Sequence, residues 1–451
     1  MYYNKIKTIL LFSVFTITFS YSQNLESKIN DILNNEYSNG STGCVALVSK
    51  GGNIIYHNAL GLADLELNTP MTKDMVFEIG SLTKQFTAVA ILMLNEQGKL
   101  NLNDDIKKYI PDYPTQENII TIHHLLNHTS GIKNYVTLKD WFPQIRKDFT
   151  PEAFIELFKN EPLNFSPGEK WEYNNSGYYL LGYIIEKVSK QYYKDFIESE
   201  IFKPLKMNNS SYGIRSEIIK NRPSGYSKRN NAFINAPYLS FTHLYSAGAL
   251  MSTAEDLFKW NQALVTNKLI TNESKKLIFT NTTLNNNSKT NYSYGWAINK
   301  INNSNTIEHS GGTLGYATYA TYLQEEDIFV TVLSNCDCKE PRVVTTKIAA
   351  ICIDKPMPSN ESAITLNPSD LNKLVGTYTF EDNSTRIITL KGNQLFFNFP
   401  DGNKSKLFSL DGMTFWIDGT TENLNFMESA KGMDCLFKNR IYESKGSRQD
   451  K

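Results

Sequence analysis

The sequence predicts an α/β protein in which an antiparallel sheet flanked by helices is interrupted by an inserted all-α lobe and followed by a small C-terminal β-meander or barrel. Three observations carry this expectation. Short β-rich runs at 44–48 and 54–56 resume only at 295–333, so one sheet is assembled from both ends of a long segment. Residues 99–240 between them carry helical periodicity and irregular loops with little strand signal. Beyond residue 376, hairpin-length strands alternate with glycine turns at regular spacing.

Taken in order, residues 1–22 read as a secretory signal: Lys5 and Lys7 precede an apolar run over 9–19, and Ser20-Tyr21-Ser22 flank a cut before Gln23. The run is short for a spanning helix, and no other stretch is long and apolar enough to cross a bilayer. The expectation is an exported protein, periplasmic or secreted, with no stable membrane span after cleavage. Leu25, Ile29, Ile32 and Leu33 put one apolar stripe on a helix over 24–39. A hairpin follows, with Gly51-Gly52 as its turn. The next helix lies within 78–98, where only Thr83, Lys84, Gln85 and Thr87 are polar between Leu82 and Leu94, and Asn95 to Gly98 read as its stop. In the lobe, Thr150-Pro151-Glu152 opens one helix, and 175–188 forms another with Leu180, Leu181, Ile184, Ile185 and Val188 inward. Ser252-Thr253-Ala254-Glu255 reads as a capping box. Strands are expected at 295–299, 305–309, 317–323 and 328–333, closed by a helix over 343–353. The domain expectation is therefore a signal peptide at 1–22, a catalytic-type domain at 23–354 with its α lobe at about 99–240, a Pro- and Ser-bearing linker at 355–370, and a β domain at 371–442. Charged residues 443–451 are expected to fray.

Bulk properties narrow the function. Forty-six basic residues balance 46 acidic ones, which argues against nucleic acid or an anionic membrane surface as the main partner. Cys44, Cys336, Cys338, Cys352 and Cys435 are odd in number and scattered, so no disulfide framework can be read. Cys336-Asp337-Cys338 lacks a second ligand pair and reads as a strand end carrying two small residues rather than a metal or redox site.

The chemistry-bearing residues fall in three stretches. Ser81 and Lys84 are three apart at the head of the apolar helix, hence on one face and within mutual reach. A serine needs a base to take its proton, and a lysine becomes that base if burial lowers its pKa. The same pair also suits a capping serine and a lysine that snorkels to solvent. A second copy of the spacing, Ser130-Gly131-Ile132-Lys133, opens no apolar run and reads as a turn. Tyr173 and Asn175 lie on a loop feeding a helix, where the tyrosine could act as a tyrosinate or relay a proton and the amide could bind substrate, or where Asn175 merely caps. His309-Ser310-Gly311-Gly312 ends a strand, offering a ring donor, a hydroxyl and small residues against which a substrate backbone fits.

Ser81-Leu82-Thr83-Lys84, Tyr173-Asn174-Asn175 and His309-Ser310-Gly311, in this order, resemble the three motifs of the serine β-lactamase and penicillin-binding-protein family, in its class C and DD-peptidase branch, which also holds esterases and D-aminopeptidases. Leu125 to Gly131, with His128-Thr129-Ser130, and Gly248 to Leu257 support the likeness, which covers about 25–353. The resemblance implies a β-lactamase/transpeptidase-like fold and acyl transfer without metal or cofactor. Ser81 would be the nucleophile, and Lys84 and Tyr173 would share its proton. The N–H groups of Ser81 and Gly312 would hold the oxyanion, and Asn175, His309, Ser310 and Gly311 would hold substrate. One departure matters: most β-lactamases of this family have Lys at the place of His309, so carboxylate recognition should be weaker and pH-dependent here. The expected function is an exported serine hydrolase of amides or esters, a D-amino-acid peptidase of DD-carboxypeptidase type, with small molecules, peptides or peptidoglycan fragments as substrates. Carboxylesterase or weak β-lactamase activity is the alternative within enzymes. A penicillin- or cell-wall-peptide-binding sensor without turnover is the alternative outside them. The C-terminal module resembles lipocalin-like modules appended to this family, with a packing role expected.

Overall fold

The early and late strand runs meet in one seven-stranded sheet. Its strands are β1 (Cys44–Lys50), β2 (Asn53–Leu60), β3 (Tyr292–Ser293), β4 (Trp296–Ile301), β5 (Ser304–Thr313), β6 (Tyr316–Leu323) and β7 (Ile328–Ser334), in the spatial order β3-β4-β5-β6-β7-β1-β2. β1 runs antiparallel between β7 and β2, with Cys44 opposite Ser334 on one side and Leu60 on the other. The computed structural model describes residues 24–449 apart from 39, 359, 382, 400, 401, 430, 431, 441 and 442; the signal-peptide reading of 1–22 lies outside the described residues. The chain divides into two compact units, one built from residues up to 298 and 304–349, the other from 299–303 and 350 onward.

In the first unit, β1 and β7 are buried almost throughout, which is why their sequences, VALV and IFVTVL, read as continuous apolar runs rather than alternating ones. Edge strand β2 begins exposed. Gly51 and Gly52 take φ of 57° and 72°, the mirror-image turn whose twist matches a two-residue hairpin. Helix α1 spans 24–36, three residues short of expectation. Helix α2 (Thr83–Glu96) is buried from Thr83 through Leu92 and again at Leu94. It packs against α3 (Asn175–Ser189) and α4 (Phe241–Gly248), while Phe86 stacks on Trp260 of α5 (Ala254–Val265) at 4.0 Å. The Trp260 indole N–H donates to Gln85 Oε1 at 3.1 Å, so the polar tip of an otherwise apolar contact is satisfied. Helix α5 lies over β1 and β7, and α6 (Pro341–Cys352) follows the last strand.

Several expectations are corrected. The cap of α5 is Thr253, whose hydroxyl accepts from Asp256 N–H at 3.1 Å; Ser252 instead ends a short strand, Leu250–Ser252. The segment 99–240 holds a hairpin, Tyr226–Arg229 with Ala232–Asn235, turned by Asn230 and Asn231 at φ of 48° and 63°. Asparagine tolerates that left-handed turn, so the signal was the Asn-Asn pair rather than any apolar pattern. Cys336 and Cys338 form a disulfide, because the turn after β7 brings their Cα atoms to 5.1 Å.

The second unit is a closed eight-stranded barrel of β8 (Gly376–Phe380), β9 (Thr385–Lys391), β10 (Gln394–Asn398), β11 (Lys404–Ser409), β12 (Thr414–Ile417), β13 (Asn423–Ser429), β14 (Gly432–Lys438) and β15 (Glu443–Arg448). Tyr378, Leu395, Phe397, Phe415, Phe426 and Phe437 are among the side chains of its core. The charged stretch 443–451, expected to fray, instead supplies β15, which pairs with both β14 and β8 and closes the ring. An outer barrel strand needs backbone pairing more than apolar side chains, and Gly446 is small enough to lie against the Phe380 ring, where a Cβ would come within 2.9 Å.

Candidate active site

Ser81 sits in a short, tight helical turn (Gly80–Leu82) that runs directly into α2, and Lys84 follows one turn on. The Lys84 side chain is fully buried, with Nζ 3.0 Å from Ser81 Oγ, 2.8 Å from Asn175 Oδ1 and 2.8 Å from the Ala247 carbonyl oxygen. Burial alone drives its pKa well below the usual lysine value, because an ammonium removed from water without a counter-ion is strongly disfavoured. The competing Ser130–Lys133 spacing lies on a loop, where the Ser130 hydroxyl accepts the Ile132 N–H at 3.3 Å.

Each partner of Lys84 is presented by local backbone chemistry. Asn174, not Asn175, caps α3: its side-chain oxygen accepts from Gly177 N–H at 2.8 Å and its amide donates to the Ile132 carbonyl. That leaves the Asn175 side chain at the first helical position, facing the lysine. Ala247 comes from α4, which is broken at Tyr245 (φ 39°, ψ −131°). Just past the break, the Ser246 carbonyl accepts from Thr87 Oγ1 at 2.7 Å and the Ala247 carbonyl from Lys84. A backbone excursion of this kind costs about 1–3 kcal/mol and persists only where surrounding contacts hold it.

Tyr173 lies over the lysine, with Lys84 Nζ 4.9 Å from its ring centroid. Burial raises its pKa, opposed only by the Ser81 hydroxyl, so the ring is a phenol and not a tyrosinate at neutral pH.

Strand β5 closes the other side. Gly311 lies so close to the nucleophile turn that a Cβ there would sit 1.9 Å from the Ile79 carbonyl oxygen, and a Cβ on Gly80 would sit 2.5 Å from Gly312 N. Ser310 and Gly312 are exposed along this edge. His309 corrects the expected ring donor. Its Nδ1 faces the Ser310 carbonyl oxygen at 2.5 Å and its Nε2 the Tyr292 hydroxyl at 3.1 Å, so Nδ1–H donates to the carbonyl and Nε2 accepts from the phenol. Both nitrogens are used within the protein. Burial, and then Lys84, push its pKa down to about 4, so it carries no charge at neutral pH.

The motif residues therefore converge, while the Ala247 carbonyl, Tyr292 and the ring of His128 also belong to the site's surroundings without having been assigned a role from sequence. Among the described residues, no group of His, Cys, Asp or Glu is arranged to hold a metal ion.

A serine hydroxyl set against a buried amine whose pKa burial lowers, on this α/β fold, defines a serine hydrolase. More narrowly, the family model described as Beta-lactamase matches residues 24–353, and the chain belongs to that family. It is 29% identical over 405 residues to a penicillin-binding protein of Bacillus subtilis (strain 168), an alignment covering 84% of this chain and 89% of that one. A penicillin-binding protein homologue from Pyrococcus abyssi, described as octameric, matches with a TM-score of 0.67 at 24% identity, over 94% of this chain and 99% of that chain. A D-stereospecific amidohydrolase from Streptomyces sp. matches with a TM-score of 0.62 at 24% identity, over 70% of this chain and 95% of that chain. The last two likenesses speak for the fold alone.

Proposed function

We propose that the protein is an exported hydrolase that cleaves amide bonds in D-amino-acid-containing substrates through an acyl-Ser81 intermediate. The observation that carries the chemistry is the environment of Lys84 Nζ. Two of its three contacts, Asn175 Oδ1 and the Ala247 carbonyl, can only accept hydrogen bonds and take both hydrogens of a neutral amine. The lone pair is left for the third, the Ser81 hydroxyl. Lys84 then removes the proton as Ser81 Oγ attacks the carbonyl, and the N–H groups of Ser81 and Gly312 hold the oxyanion. Tyr173, a phenol, passes a proton to the leaving group and afterwards activates the water that hydrolyses the ester. Ser310, Gly311 and Gly312 line the substrate backbone.

Substrate class is supported from two directions. With His309 uncharged and fully engaged, β5 offers no cation to a carboxylate, which weighs against β-lactams and against a carboxypeptidase that must grip a free C-terminus. The fold is shared with a D-stereospecific amidohydrolase and with a D-amino acid amidase from Ochrobactrum anthropi. Carboxylester cleavage is the second reading, favoured by the same absence of charge. Export rests on the composition of residues 1–22.

The test is intact-protein mass spectrometry of native chain and Ser81→Ala after exposure to a fluorophosphonate, benzylpenicillin and D- and L-amino acid p-nitroanilides, with product release followed in parallel. A single fluorophosphonate adduct absent from Ser81→Ala, with faster release from the D-anilides, is the expected result. A stable penicillin adduct without turnover of any substrate would replace the hydrolase by a sensor.

A further inference from the structure

We propose that His128 is a positioning residue for Tyr173, clasping the backbone on both sides of it and backing its ring. The inference rests on the reading of Tyr173 as the proton relay. Tyr173 lies in a stretch without regular secondary structure, so no helix or strand ladder sets the direction of its side chain. The amides on either side of it are both held by one residue. Glu172 N–H donates to the His128 carbonyl oxygen at 3.0 Å, and Asn174 N–H donates to His128 Nδ1 at 3.1 Å. Between these two points the imidazole packs against the phenol ring, with centroids 4.5 Å apart.

The clasp is itself rigid. His128 is 1% exposed, and its ring is boxed in by Tyr178 and Tyr292 at 5.1 Å and 4.6 Å. Its backbone sits at φ 61°, a conformation that β-branched and bulky side chains avoid. An apolar residue would fill this box, yet only a side chain with an acceptor at the Nδ1 place can take the Asn174 N–H. Among the described residues Nε2 has no hydrogen-bond partner, so the polarity of the ring serves that single bond. Acceptance at Nδ1 requires a neutral ring, and burial, which pushes its pKa well below the usual histidine value, keeps it so. His128 acts on Tyr173 rather than on substrate.

A double-mutant cycle tests this with p-nitrophenyl acetate as the probe ester. His128→Leu keeps bulk without an acceptor and should lower kcat by about 10–100-fold with KM within about twofold, the scale of a displaced catalytic group. His128→Asn, whose side-chain oxygen falls near the Nδ1 place and which suits positive φ, should recover kcat to within about threefold. In the Tyr173→Phe background, His128→Leu should cost less than about twofold more, because the group it aims has gone. Should His128→Leu fail to fold, His128→Gln, with its acceptor one bond farther out, enters the same cycle with the same expectation. Equal losses in both backgrounds, or no recovery with Asn, would overturn the inference. Unchanged turnover in Tyr173→Phe alone would overturn the relay reading first, and this inference with it.

Discussion

Burial does two different jobs at Lys84 and His309. At Lys84 it converts a cation into a base, so Lys84→Met and Lys84→Arg should each cost about a thousandfold or more in kcat, arginine because it stays charged in any setting; burst-phase kinetics with an activated ester would show the loss in acylation. The rate should rise with pH as the amine deprotonates, and that limb should lie well below the ordinary lysine range, since the folded pKa is lowered. At His309 burial removes a charge the family commonly keeps. Its folded pKa of about 4 lies below the unfolded 6.5, so its contribution to stability is complete above about pH 6.5 and is lost as pH falls toward 4. We expect up to about 3 kcal/mol from this group, read as a Tm that declines between pH 7 and pH 4.5 and declines less in His309→Asn. At this scale the Ser-x-x-Lys spacing alone left Ser81 and Lys84 open to a capping reading and recurred at Ser130 to Lys133; the order of the three motifs singled them out. The sequence could not expose the Ala247 carbonyl, which has no side-chain signature, nor tell that Asn174 rather than Asn175 caps α3 and leaves Asn175 to Lys84.

Among the elements, β5 and the turn before α2 are fitted to each other through their backbones. Gly311→Ala should therefore destabilise the fold by about 2 kcal/mol or more, since its Cβ would meet Ile79 O at 1.9 Å and Thr318 Oγ1 at 2.3 Å. Gly312→Ala meets nothing within 4 Å and should leave Tm unchanged while raising KM, which urea melts and steady-state kinetics would separate. Thr253→Ala, which removes the cap of α5, should cost about 1 kcal/mol by the same melts. Helices were readable from the 3.6-residue period of their apolar residues, and the central strands from short continuous apolar runs bounded by turns. The hairpin at 226–235 and strand β15 were not, because Ala232–Asn235 is exposed throughout, β15 is mostly charged or polar, and neither shows an apolar alternation.

Across the whole molecule, two units with separate cores should give two calorimetric transitions. A chain ended before Glu443 should lose protection against hydrogen exchange throughout β8 and β14, the strands that β15 joins, while the sheet amides of the first unit keep theirs. The pairing of β1 with β7 bears on something else, the order in which the protein comes into being. Cys44 is made long before Ser334, its partner across the ladder. At a synthesis rate of about 5–20 residues per second, the β1–β2 hairpin waits roughly 15–60 s for its second neighbour, with an apolar strand edge open all that time. The nascent chain is thus exposed to mispairing for most of its synthesis, and a holding chaperone that covers residues 44–50 should raise its folded yield more than one acting after release.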